Sequence, residues 1–282
     1  MINWIRTIVI NWLKRKKPLP QSPLSDFERI RHELKTCDVL LVEGRTKVSE
    51  VIKLVTQSSW SHAALYIGRL HDIEDPLLRE HVGKFYPGTA DKQLIIESEL
   101  GMGTVVRGLT AYEREHIRIC RPRGLSYKDS QKVIAYAIGR LGTTYDVRQI
   151  FDLARFLFPW AFLPRRWRST LFSVRPGKST QTVCSTMIAE SFGSIQFPIL
   201  PLVKRVDADR VQLFLRNPKL CIPKHFDYSP YFDIIKYPFL DFQLHADQRL
   251  LPWQGHARLS AEEKGMYMTD SQELAPLNDD IQ

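Results

Sequence analysis

A helix, then several short strands, then further helices: this order of elements in the 282-residue chain predicts an α+β fold. Two observations carry that expectation. Short apolar runs recur between positions 39 and 120, several of them closed by glycine or a charged residue. No regular strand–helix–strand alternation links them, which favours a small antiparallel sheet over a parallel one. Helical patterns at 126–141 and 183–192 follow the strands, and the sheet is expected to pack against the second of them.

Taken in order, residues 1–13 place Ile2, Ile5, Ile8, Val9, Trp12 and Leu13 on one broad helical face, with Asn3, Thr7, Asn11 and Lys14 opposite. The run is shorter than the roughly 20 residues a spanning helix needs, and Arg6 interrupts it. Its positive cluster follows the apolar stretch, and no small-residue cleavage site appears, so a cleavable signal peptide is not expected. An interfacial helix fits better. Trp4 and Trp12 would sit at headgroup level and Ile5 on the apolar face at the membrane surface, with Lys14, Arg15, Lys16 and Lys17 near phosphates. The alternative is a helix docked on its own domain. Pro18, Pro20 and Pro23 break the pattern and make residues 1–23 a separate anchor and linker.

One domain is expected over 24–242. Its helices are predicted at 24–36, 46–57, 126–141 and 183–192, with Ser126 as a cap and Gly142 as a stop. Strands are predicted at 39–42, 63–67, 94–97, 103–106 and 117–120, with more within 211–240. Residues 70–92 read as polar and irregular. Residues 147–180 read as an aromatic, basic insertion. Phe151, Phe156, Phe158, Trp160, Phe162 and Trp167 are too many rings for a polar loop and predict an apolar surface beside the reactive cleft. The polar tail over 243–282 is expected to be mostly disordered.

The net charge of +9 is concentrated: residues 1–17 carry +5 and residues 147–180 carry +6, so the remainder is slightly acidic. Both basic segments are rich in Trp, Phe, Leu and Ile. That mixture points to an anionic membrane surface more than to nucleic acid, and predicts a cytoplasmic, peripherally membrane-associated protein with no nucleic-acid partner. The four cysteines are far apart and form no CxxC pair, so neither a metal site nor a disulfide framework is implied.

One cysteine stands out. Cys184 lies where small polar residues lead into an apolar run, Thr182-Val183-Cys184-Ser185-Thr186-Met187, at the first turn of a predicted helix. The unpaired N–H groups and dipole there stabilise a thiolate, and a backbone N–H can serve an oxyanion. Cys37 precedes a strand, Cys120 ends one, and Cys221 sits in a Pro-rich stretch. A thiol nucleophile needs a base, and His62 enters a strand lined by small residues, Ser61-His62-Ala63-Ala64. Glu97 shares a face with Ile95, towards a core, where a lone carboxylate is costly; a partner such as His62 is expected.

Four segments in this order resemble the circularly permuted, NlpC-like papain-fold hydrolases of the YiiX/YebB group. They are Cys37-Asp38-Val39-Leu40-Leu41; Ser61-His62-Ala63-Ala64-Leu65-Tyr66-Ile67-Gly68; Ile96-Glu97-Ser98 with Gly103-Thr104-Val105-Val106; and Gly142-Thr143-Thr144-Tyr145-Asp146 followed by Val183-Cys184-Ser185. The strand His precedes the helix Cys, the reverse of papain's order. The resemblance covers roughly residues 36–240 and implies Cys184 as nucleophile, His62 as base and Glu97 as the third polar residue. Tyr145 and Ser61 are expected at the oxyanion or substrate. Cys37 replaces the usual Gly, and the insertion before Cys184 leaves the substrate open. Permuted relatives include peptide amidases and lecithin:retinol-acyltransferase-like enzymes.

The expectation is a thiol hydrolase or acyltransferase acting on an amide, ester or thioester, with a peptide or acyl-lipid substrate and no cofactor or metal. The alternative is a non-catalytic lipid- or partner-binding module on the same fold. Gly177-Lys178-Ser179-Thr180 resembles the end of a phosphate loop, but Phe172 stands where its first Gly is needed.

Overall fold

The computed structural model describes residues 15, 18, 24–99, 102–143, 183–205 and 210–238, apart from the side chains of Val55, Val183 and Cys184. Asp26 caps helix α1 (Phe27–Glu33), its carboxylate accepting the Arg29 N–H at 3.0 Å. Strand β1 (Val39–Glu43) leads to α2 (Lys47–Thr56), capped by Thr46, and then to β2 (His62–Gly68). Helix α3 (Pro76–Phe85), strands β3 (Leu94–Glu99), β4 (Gly103–Gly108) and β5 (His116–Pro122), and α4 (Tyr127–Ile138) follow. After α5 (Val183–Gly193) come the paired β6 (Leu202–Arg205) and β7 (Val211–Phe214), the short α6 (Lys224–Asp227) and β8 (Phe232–Ile235).

Six strands form one antiparallel sheet in the order β4-β3-β2-β1-β5-β8. Side chains alternate across it, so each face builds its own core. Val39, Leu41, Ala63, Leu65 and Ile96 pack with Val133 and Ile134 of α4 and with Met187, Ile188 and Phe192 of α5. Leu40, Val42, Ala64, Tyr66 and Ile95 pack with Phe27, Ile30 and Leu34 of and beside α1. The small Ala63 and Ala64 allow close packing on both faces.

Two departures from the sequence reading have simple causes. Residues 76–85 are helical, with Asp75 as cap and Pro76 in the first turn. Only Val82 of this helix is fully buried, and Leu77 is mostly exposed, so the apolar stripe is too thin to see in sequence. Helix α4 ends at Gly139, before the predicted stop. Gly142 instead adopts φ +76 and donates its N–H to Thr104 O at 3.0 Å, turning the chain back along β4.

An ion-pair cluster ties α1 to the sheet at the start of β1. Arg121 of β5 grips the buried Asp38 carboxylate with two nitrogens, at 3.0 and 2.8 Å, and reaches Glu33 at 2.6 Å. The segment before α1 and the segment after β8 lie side by side: Ser25 bridges Pro238, and Asp26 N donates to Tyr237 O at 2.8 Å.

Candidate active site

His62 opens β2 opposite Val42 of β1. Alternation directs it to the α1 face, with Ala64 and Tyr66. Glu97 projects to the same face as Ile95, and its carboxylate is buried. Its Oε2 lies 2.5 Å from His62 Nε2. The Tyr112 hydroxyl donates to the same oxygen, and Arg107 Nε stands 3.0 Å from Oε1. Arg107 pairs opposite Ile95 across β4, which puts it beside Glu97; Tyr112 closes the 3-10 turn Leu109–Tyr112. The Tyr112 and His62 rings are 6.2 Å apart at a tilt.

Burial pushes the Glu97 pKa up. The hydrogen bonds from His62 and Tyr112 and the Arg107 charge outweigh that push, so the carboxyl sits below its ordinary value. Glu97 is therefore ionised at neutral pH and can only accept. His62 Nε2 must then carry the shared proton. That fixes the tautomer and makes Nδ1 the basic nitrogen.

Cys184 falls in the first turn of α5. That helix packs on β2 and β3 from the face opposite α1, through Met187, Ile188 and Phe192. The His62–Glu97 pair and the helix thus lie on different faces of the sheet. His62 is the first residue of its strand, so the path between them runs around the sheet end where β2 begins. The Cys184 side chain lies outside the described residues. So do Tyr145, Trp4, Ile5, Trp12, Lys14, Lys16, Lys17 and the segments 147–180 and 243–282; Arg15 is described and exposed.

Ser61, expected at the oxyanion or substrate, is held inside the fold. Its hydroxyl is buried, accepts the Gly44 N–H at 2.9 Å and lies 3.5 Å from Val42 O. Ser61 fixes the start of β2 to the end of β1 and so positions His62. Sequence reasoning missed Tyr112 and Arg107. It also missed a brace next to His62, where Arg118 sits 4.7 Å over the Trp60 ring and pairs with Asp227 at 2.6 Å. Nothing in their local sequence marks these residues; only strand register and a turn bring them in. The buried Cys37 thiol donates to Ser130 O at 3.3 Å, and burial pushes its pKa up to about 12; burial raises Cys120 as well. Neither offers a thiolate at neutral pH.

Residues 33–155 match the family of permuted papain-like amidase enzymes, YaeF/YiiX, C92. Over these residues the chain is similar to permuted papain-like cysteine hydrolases of the YiiX group. The match takes in His62, Glu97, Arg107 and Tyr112 and ends before Cys184. No curated protein matches the chain. The antiparallel sheet flanked by helices is the α+β frame of a permuted papain-like fold, and the likeness supports a thiol hydrolase in general. Among the described residues, no helix is long and apolar enough to cross a membrane.

Proposed function

We propose that Cys184 is the nucleophile of this hydrolase, His62 its base and Glu97 the group that orients the base. The observation that carries the reading is the His62–Glu97 pair, which presents Nδ1 as the basic atom at the start of β2. Nδ1 takes the thiol proton as sulfur attacks an amide, ester or thioester carbonyl. The same nitrogen returns the proton to the leaving group, leaving a thioester for water or another acceptor. The Cys184 N–H at the helix start, with Tyr145, holds the oxyanion. A peptide or an acyl-lipid serves as substrate.

The test is chemical. Iodoacetamide should modify Cys184 fastest at neutral pH, and His62→Ala should slow that reaction. 1,3-Dibromoacetone, which spans only a few ångströms, should cross-link Cys184 to His62. Cys184→Ala should abolish turnover with the fold intact. Unchanged alkylation in His62→Ala, together with no cross-link, would sink the pairing and leave the non-catalytic binding module.

The basic, apolar sequence of residues 1–17 supports a reaction at an anionic membrane surface, each cation near the surface adding about 1 kcal/mol. Co-sedimentation with phosphatidylglycerol vesicles should fall when residues 1–17 are deleted. Equal partitioning of both proteins rejects the anchor.

A further inference from the structure

Helix α5 has a second neighbour besides the sheet. Past its midpoint, Ala189 and Gly193 form one wall of a cavity of about 390 Å³. Phe197, Ile199, Leu200 and Leu215 form much of the rest, so the lining is mainly apolar. At 1.5 Å per residue, this wall lies roughly 8–14 Å along the helix from Cys184. The cavity is therefore separate from the catalytic centre.

The polar groups in it are nearly all committed. Glu190 accepts from Tyr136 at 3.3 Å and lies 3.4 Å from Arg140. Asn217 accepts the Lys219 N–H at 3.0 Å. His225 Nδ1 accepts the Ile222 N–H at 3.2 Å, and burial holds its pKa down at about 4, so it is neutral at pH 7. Arg216 differs. Its Nε donates to Leu200 O at 3.2 Å, and among the described residues no carboxylate lies within ion-pair distance of it. Among the described residues, the cavity is thus an apolar trough with one arginine that no carboxylate pairs.

Its lip has the same chemistry. Leu200 and Leu215 run directly into the β6–β7 hairpin, which pairs apart from the main sheet. Register puts Val203, Leu213 and Val211 on one face with Arg205. The three aliphatics are 64%, 55% and 60% exposed, far more than an isolated soluble surface usually leaves open. Across residues 202–219, Lys204, Arg205, Arg210, Arg216 and Lys219 outnumber Asp207 and Asp209.

We propose that this cavity binds an anionic amphiphile taken from a lipid surface, its acyl chain in the trough and its acidic head on Arg216. The exposed, basic hairpin is the lip over which the chain arrives. Apolar lining with one convergent charge is the ordinary make-up of such sites. The proposal concerns binding and does not depend on the Cys184 chemistry.

Gly193 supplies the test. Gly193 lines the cavity and a Cβ built there meets nothing within 4 Å, so Gly193→Leu has room for its first carbon at the cavity wall. Binding of dodecanoate below its micelle concentration is measured by calorimetry on the full chain. Dodecyl phosphate and dodecyltrimethylammonium are the comparators. The full chain should bind both anions saturably and the cation weakly. Gly193→Leu should weaken dodecanoate about tenfold or more at an unchanged melting temperature. Arg216→Gln should remove the preference for anion over cation, and it decides the matter should Gly193→Leu fold poorly. No saturable binding, unchanged binding in Gly193→Leu, or equal binding of the cation overturns the proposal.

Discussion

Glu97 and Asp38 are both buried carboxylates of the same sheet, and each has an arginine, yet they are held in different ways. Asp38 sits before β1, with Arg121 gripping its two oxygens and the Lys35 N–H bonded at 2.8 Å. Burial outweighs those contacts and raises its pKa. Glu97 lies towards the other end of the sheet. There Arg107 takes one oxygen, and the other is shared by Tyr112 and His62. These contacts outweigh burial and lower its pKa. Burial and an arginine are therefore not the mark of a working site. The mark is a partner that can itself titrate, and only Glu97 has one. Asp38 ties a helix to a sheet, whereas Glu97 sets which nitrogen of His62 is basic.

The largest effect should come from the structural carboxylate. Arg121→Met leaves Asp38 buried and unpaired and should cost about 3–5 kcal/mol in urea unfolding. Adding Asp38→Asn should restore part of that loss. Specific activity per folded molecule should hardly change, and a drop as deep as that of a catalytic variant would break the contrast. Next comes Glu97→Gln. It keeps the shape but loses the charge that holds the Nε2 proton, so kcat/KM should fall by up to about 100-fold with a much smaller loss of stability. An unaffected kcat/KM would make Glu97 a second structural acid.

The smallest effect is in pH. The folded Glu97 pKa lies below its unfolded value, so the stability it adds is fully present above the ordinary glutamate range. That stability is lost as pH falls through the lowered value. Asp38, shifted the other way, contributes with opposite sign. The stability gap between the native protein and Glu97→Gln, measured by urea unfolding, should therefore narrow between pH 6 and pH 3. A constant gap contradicts the ion-pair account.

The contrast also marks how far the sequence could be read. The strand starting at His62, the cap at Ser126 and the helix carrying Cys184 were legible, because turn residues and apolar periodicity are local. That Glu97 faces inward and needs a partner followed from a period of two. Its particular set of partners did not follow. Arg107 arrives through the β3–β4 register, and Tyr112 through a 3-10 turn fifteen residues on. The Ser61 hydroxyl beside His62 invited a chemical role; its bonds to Gly44 and Val42 across the β1–β2 turn could not be read from the sequence. Helix α3 escaped notice because one buried side chain leaves almost no pattern.

The bridge between Ser25 and Pro238 has a consequence for engineering. Because Ser25 and Pro238 sit side by side, the segments flanking α1 and β8 are adjacent prongs of one plug. Domains with such neighbouring ends can be spliced into a surface loop of a host protein without stretching either. Residues 24–238 could therefore be carried as a cassette, with the Ser25–Pro238 bridge holding its two ends together at the junction with the host.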